Sequence, residues 1–160
     1  IKNNLKVNRL LEIGIGSNNI NIPGNMGLEA KPGASLFAFK DFFYNCEVYG
    51  ADIDEKINLK TNKIKTLFVD QLSEKSLIEL SRKVKNIDLI IDDGLHLPNA
   101  NLLSFSILSK NLNIGGTYVI EDINKDFLDY FFILRKIINY QFETHIFKTK
   151  KRYVFVAIKN

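Results

Sequence analysis

Acidic residues stand where apolar runs end: Glu12, Asp52, Asp70, the stretch Asp92-Asp93-Gly94-Leu95-His96, and the pair Glu121-Asp122. Carboxylates gathered at neighbouring strand ends can hold a cation, and an imidazole beside them can take up a proton. The first of these groups opens straight into glycines, as Leu11-Glu12-Ile13-Gly14-Ile15-Gly16. Glycine removes the Cβ that would block a ligand approaching the backbone, and it permits positive φ. A lone Gly-x-Gly after a strand is a weak signal, because a tight turn needs nothing more. Carboxylates at the ends of four further apolar runs make it a stronger one.

The elements that must position these groups alternate. β-Branched and aromatic enrichment predicts strands at 8–13, 46–52, 64–69, 87–92, 116–121, 140–148 and 152–158. Helical patterns fall between them at 34–43, 54–60, 73–84, 98–110 and 126–138. Ser73 and Pro98 suit helix starts, and Gly115-Gly116 is expected to stop a helix before the fifth strand. Strict alternation predicts right-handed crossovers and a parallel sheet covered on both faces, a three-layer α/β domain spanning 1–160. The last two strands have only a short turn around Thr149 between them and should form an antiparallel hairpin at the sheet edge. Residues 17–33 form a Gly/Pro/Asn-rich connection where about 2–6 residues are usual, which suits a lid or substrate loop.

Composition narrows the class. The chain has 160 residues, of which 46% are hydrophobic and 25% charged, enough for one sizeable core. No run reaches the roughly 18 apolar residues of a membrane span, and no signal peptide is visible. The single cysteine, Cys46, excludes an internal disulfide and a thiolate zinc cage, so the expected location is the cytoplasm; it reads as core. The +4 net charge is modest, with lysines scattered in mixed stretches, which reads as solvated surface and makes a nucleic-acid partner unlikely. His145 reads as structural. Phe127, Leu128, Phe131, Phe132, Leu134 and Ile138 form a helical stripe of core packing that also permits a dimer face.

Open α/β sheets bind ligands at the carboxyl ends of their strands. Asp52, at the end of the second strand, can accept hydrogen bonds from ribose hydroxyls, as acids in nicotinamide enzymes also do. A dinucleotide site needs a third glycine running straight into a helix; here Asn19 takes that place and a long loop delays the helix. Glu12 would repel a pyrophosphate, yet it suits a ligand bearing an ammonium or sulfonium. The residues favour S-adenosylmethionine over a nicotinamide dinucleotide.

Across nearly its whole length the chain resembles the class I S-adenosylmethionine-dependent methyltransferases. The matching pieces are Leu11 to Gly16, Gly50-Ala51-Asp52-Ile53-Asp54, Phe68-Val69-Asp70-Gln71 and Asp88 to Gly94. The resemblance implies a Rossmann-like, doubly wound seven-stranded sheet in the order 3-2-1-4-5-7-6, with strand seven antiparallel. It also implies that Glu12, Gly14 and Gly16 line the methionine part of the cofactor and that Asp52 binds the ribose. Asp70 and Gln71 would lie at the adenine, with Asp92 among the cofactor-binding residues. Ser35, at the first helix start, would meet the cofactor carboxylate.

A narrower resemblance rests on Asp92-Asp93-Gly94-Leu95-His96 followed by Ile120-Glu121-Asp122, with Asp70-Gln71 matched too. It is similar to the metal-dependent sugar O-methyltransferases of the macrocin and mycinamicin type, whose motif has serine where this chain has Leu95. That resemblance implies Mg²⁺ held by Asp93, Glu121 and Asp122, with His96 as general base beside Asp93. The acceptor would be a small molecule, a sugar or glycosylated metabolite. Consecutive strand residues point to opposite faces, so Glu121 and Asp122 share a metal only if the strand ends between them. Two other classes stay open: a metal-independent methyltransferase acting on RNA or a small metabolite, and a non-catalytic domain that binds the cofactor. The absence of an Asn-Pro-Pro-Tyr-type motif counts against methylation of base amino groups.

Overall fold

A computed structural model describes residues 6–22 and 24–160, so Pro23 of the long connection lies outside the described residues. The strands are β1 (Arg9–Ile13), β2 (Glu47–Asp52), β3 (Ile64–Phe68), β4 (Ile87–Asp92), β5 (Leu112–Ile123), β6 (Phe142–Lys148) and β7 (Tyr153–Lys159). The helices are α1 (Ala34–Phe42), α2 (Glu74–Lys83), α3 (Pro98–Leu108) and α4 (Leu128–Ile138). One sheet runs β3-β2-β1-β4-β5-β7-β6, parallel from β3 through β5, with β7 antiparallel to both of its neighbours. The expected strand order and the terminal hairpin are both present.

Local chemistry explains the element boundaries. Ser73 caps α2 by accepting the Ser76 N–H at 3.3 Å, and Glu74 and Arg82-Lys83 stand at the dipole ends that suit their charges. Pro98 opens α3 at its first turn, where a missing N–H costs nothing.

The period-two alternation of the strands divides the core between the two faces. Leu10 of β1 and Val48, Ile64, Leu89 and Ile91 from the next strands pack with Leu36 of α1. Leu11 and Ile13 of β1, with Ile90, Tyr118, Ile120 and Phe155, pack with Leu77 and Leu80 of α2, Phe105 and Leu108 of α3, and Phe131 of α4. Of the expected α4 stripe, Phe131 is buried; Phe127, Leu128, Leu134 and Ile138 are partly buried against this core, while Phe132 is exposed. No helix among the described residues is long and apolar enough to cross a membrane.

Two expectations are corrected. No helix forms over 54–60. The Asp54 carboxylate accepts the Lys56 N–H at 3.0 Å, closing a turn, and Thr66 Oγ1 then binds the Ile57 carbonyl at 2.8 Å and the Leu59 N–H at 2.9 Å. Those bonds hold the segment extended against β3. Gly115-Gly116 do not separate helix from strand either. α3 gives way to a 3₁₀ turn at Ser109–Asn111, β5 starts at Leu112, and the glycines form an irregularity inside it, where the register with β4 shifts between Ile87 and Leu89.

Candidate active site at the carboxyl edge of the sheet

Strand alternation assembles the acidic edge. Glu12 follows Leu10 onto the α1 face of the sheet. Continuing the Leu89–Ile91 series places Asp93 on that face, and continuing Thr117–Val119 places Glu121 there. Glu12 is buried and accepts a hydrogen bond from Ser35 Oγ of α1 at 2.6 Å. Burial raises its pKa from 4.5 to about 7; the Ser35 bond opposes that shift, and the charges of Asp93 and Glu121 add to it. Asp93 is raised to about 6, by burial first and then by Glu121. Glu121 is also raised, by burial and by Asp122. Like charges confined this closely favour a cation among them.

Asp122 reaches this face by a bulge. Its backbone is left-handed, φ 51°, and the β5–β7 register shifts between Ile120 and Ile123. The strand therefore does not end between Glu121 and Asp122, as sharing a site was expected to require; it kinks. Ligand atoms of Asp93, His96 and Asp122 lie within 4.8 Å of one another. His96 Nε2 is 3.9 Å from Asp93 Oδ1, and its Nδ1 is buried with no hydrogen-bond partner among the described residues. Glu121 is not in this trio, although its charge is felt by Asp93. The carboxylate oxygens of Asp93 and Asp122 suit a hard cation such as Mg²⁺, and the imidazole of His96, a poorer ligand for that ion, stands beside them.

The glycine turn is built against this edge. Gly14 has φ 81°, and a Cβ on it would run into the Asp93 carbonyl and Gly94 Cα. The β1 and β4 tips are further tied by Asp93 N–H to the Ile13 carbonyl at 2.9 Å, and Gly14 N–H reaches the Ala51 carbonyl of β2 at 2.8 Å. Gly16, φ 78°, leaves room for the Met26 side chain, which folds back from the long loop while its N–H bonds the Ser17 carbonyl at 2.7 Å. Asp52 accepts N–H bonds from Ile15 at 2.9 Å and Asp54 at 3.0 Å, and Asp54 in turn accepts the Ser17 hydroxyl. Sequence reasoning missed Met26 and Asp54. Met26 carried no periodic signal, and Asp54 looked like the start of a helix.

Two expected cofactor contacts have other partners. Asp92 has no exposed surface; it accepts Gln71 Nε2 at 2.8 Å and lies 3.4 Å from the Tyr118 hydroxyl. The Asp92 side chain is thus enclosed by protein. Gln71 is also buried and faces inward, whereas Asp70 stays at the surface and accepts the Leu72 N–H at 2.9 Å.

The strand order, the glycine turn after β1 and the carboxylates at the strand tips define the fold of the class I S-adenosylmethionine-dependent methyltransferases. No family model matches the chain. In sequence the chain is similar to sugar O-methyltransferases of the macrocin and mycinamicin type. It is 36% identical over 115 residues to demethylmacrocin O-methyltransferase of Streptomyces fradiae, covering 72% of this chain and 27% of that protein. It is 34% identical over 118 residues to 8-demethyl-8-alpha-L-rhamnosyl tetracenomycin-C 2'-O-methyltransferase of Streptomyces olivaceus, covering 74% of this chain and 29% of that one. Among solved structures, the MycE methyltransferase of the mycinamycin pathway, in complex with Mg, SAH and mycinamycin VI, matches with TM-score 0.74 and 26% identity. That match covers 95% of this chain and 44% of that one. The matched segments thus cover under a third of the length of these two curated relatives.

Proposed function

We propose that this chain transfers a methyl group from S-adenosylmethionine to a hydroxyl of a sugar or glycosylated small molecule, with Mg²⁺ assistance. The observation that carries the reading is the convergence of Asp93, His96 and Asp122 beside the Glu12–Gly14–Gly16 turn. Glu12, Gly14, Gly16 and Ser35 would line the methionine part of the cofactor, where a carboxylate suits its cationic groups. Asp52 would take the ribose hydroxyls with the acceptor capacity left by its two N–H bonds. Asp70 would flank the adenine, with the exposed apolar Ile53 and Phe68 at the adjoining tips of β2 and β3.

Asp93 and Asp122 would hold the Mg²⁺, with Glu121 adding negative charge nearby. When bound, the ion would orient vicinal sugar hydroxyls and acidify one of them. His96 would accept that hydroxyl proton at Nε2 as the oxygen attacks the sulfonium methyl. The C–O bond forms, the C–S bond breaks, and sulfur keeps the electron pair as a neutral thioether. An imidazole is a common acceptor for a proton leaving a hydroxyl in this kind of step.

The test is transfer of labelled methyl from S-adenosylmethionine to a panel of deoxysugar glycosides, with Mg²⁺ and with EDTA. Mg²⁺-dependent labelling of a sugar oxygen is the expected result. Labelling that persists in EDTA would remove the metal from the reading, and cofactor binding without any transfer would replace it with a non-catalytic domain.

A further inference from the structure

The β3–α2 turn sends one buried side chain under the segment that carries Asp93 and His96. Gln71 Nε2 donates to Asp92 Oδ1 at 2.8 Å and to Ser104 Oγ of α3 at 3.2 Å. Its Oε1 accepts the Leu95 N–H at 2.9 Å. The chemistry of the partners fixes the orientation of the amide: a carboxylate can only accept and a backbone N–H can only donate. Leu95 is the residue immediately before His96, whose backbone is left-handed at φ 52°. Gly94 is the complement of this contact, because a Cβ there would fall on Gln71 Oε1. Asp92, Gln71 and Ser104 are all buried, so water does not replace the bonds among these three side chains.

We propose that Gln71 is a positioning residue rather than an adenine contact. Its amide clamps the Asp93–His96 segment to β4 and α3, so that the Asp93 carboxylate and the His96 ring face Asp122. The proposal rests on the reading of that trio as a metal-assisted site, and it differs from the adenine role that the sequence resemblance implies for Gln71. Groups that orient metal ligands from behind commonly change metal affinity by about 10- to 100-fold when removed.

Gln71→Met keeps the length of the side chain and removes all three hydrogen bonds. Gly94→Ala keeps every donor and acceptor but crowds Oε1. Both variants are compared with the wild type by titration calorimetry with Mg²⁺ and separately with S-adenosylhomocysteine, and by amide hydrogen exchange at Leu95. The expected result is faster exchange at Leu95, Mg²⁺ affinity down by about tenfold or more, and S-adenosylhomocysteine affinity little changed. Lost S-adenosylhomocysteine affinity with unchanged Mg²⁺ affinity and unchanged Leu95 protection would overturn the proposal and restore the adenine role. If the wild type gives no Mg²⁺ response, the metal reading fails by itself. Leu95 exchange still decides the clamp: accelerated in Gln71→Met it supports the tether, unchanged it refutes it. Should Gln71→Met fail to fold, the same measurements on Gly94→Ala decide the matter.

Discussion

Asp122 meets Asp93 across neighbouring strand ends because one residue of β5, Asp122 itself, adopts a left-handed backbone at φ 51°. Ordinary pleating would have turned its carboxylate to the opposite face of the sheet. The bulge exchanges regular pairing for a second acid at the site. Asn and Asp tolerate this conformation better than most residues, so Asp122→Asn should keep the bulge while weakening the charge that attracts a cation.

Mg²⁺ is therefore expected to raise the melting temperature of the wild-type chain. At a concentration one hundred times the dissociation constant the gain is about 2.7 kcal/mol. Asp93→Ala and Asp122→Ala should lose that gain and also lose turnover, measured by thermal melts and methyl transfer side by side. An Asp93→Ala protein with a full Mg²⁺ shift would place the ion elsewhere.

Glu12 gives a dependence on pH with a definite sign. Its folded pKa, about 7, lies above the ordinary 4.5. Between those values the folded chain holds a proton that the unfolded chain releases. The stabilisation contributed by this group is therefore full below about pH 4.5 and falls as pH rises through 7, by up to about 3 kcal/mol over the whole interval. Glu12→Gln should flatten that slope and make the ligand-free chain more stable at pH 8. Denaturant melts at pH 5.5 and pH 8 measure both; equal slopes in the two proteins would contradict the assignment.

Asp52→Ala removes the acceptor for the Ile15 and Asp54 N–H groups. Loss of the charged acceptor should weaken S-adenosylmethionine binding by about 1–3 kcal/mol, read by calorimetry, because the glycine turn and the proposed ribose contact would be disturbed together. His96→Ala should leave that affinity nearly unchanged and abolish turnover.

Gly14→Ala should be among the most damaging single changes. The added methyl meets backbone at Asp93 and Gly94, which cannot swing aside as a side-chain tip can, and φ 81° is strained for any L residue. A loss of about 3 kcal/mol or more is expected in denaturant melts. At Gly16 the neighbour is the flexible Met26 side chain, so Gly16→Ala should cost less.

Much of this was legible in the residues. Strands such as Arg9–Ile13 and Ile87–Asp92 declare themselves through short runs rich in Leu and Ile, and the acids at or just past the ends of the first five strands mark the ligand edge. What stayed hidden depends on contacts between distant segments. The stretch after Asp54 has a helical composition, but Thr66 holds it extended from seven and nine residues away. In sequence, resemblance alone puts Gln71 at the adenine; its bonds to Asp92 and Leu95 join segments more than twenty residues apart and carry no local signal. The left-handed step at Asp122 has no sequence signature beyond a residue type that tolerates it, so two adjacent acids could not disclose how they would share one face.

The terminal hairpin has a consequence for how the chain can be shortened. β7 pairs with β5 on both sides of the bulge, Phe155 with Ile120 and Tyr153 with Ile123. Those two rungs hold the kink that lifts Asp122 toward Asp93. Trimming the protein to end before Tyr153 would leave all the site's acids and its histidine in the polypeptide, yet β5 would be free to straighten and turn Asp122 away. A deletion mutant of this kind would be inactive for want of a scaffold rather than of a functional group.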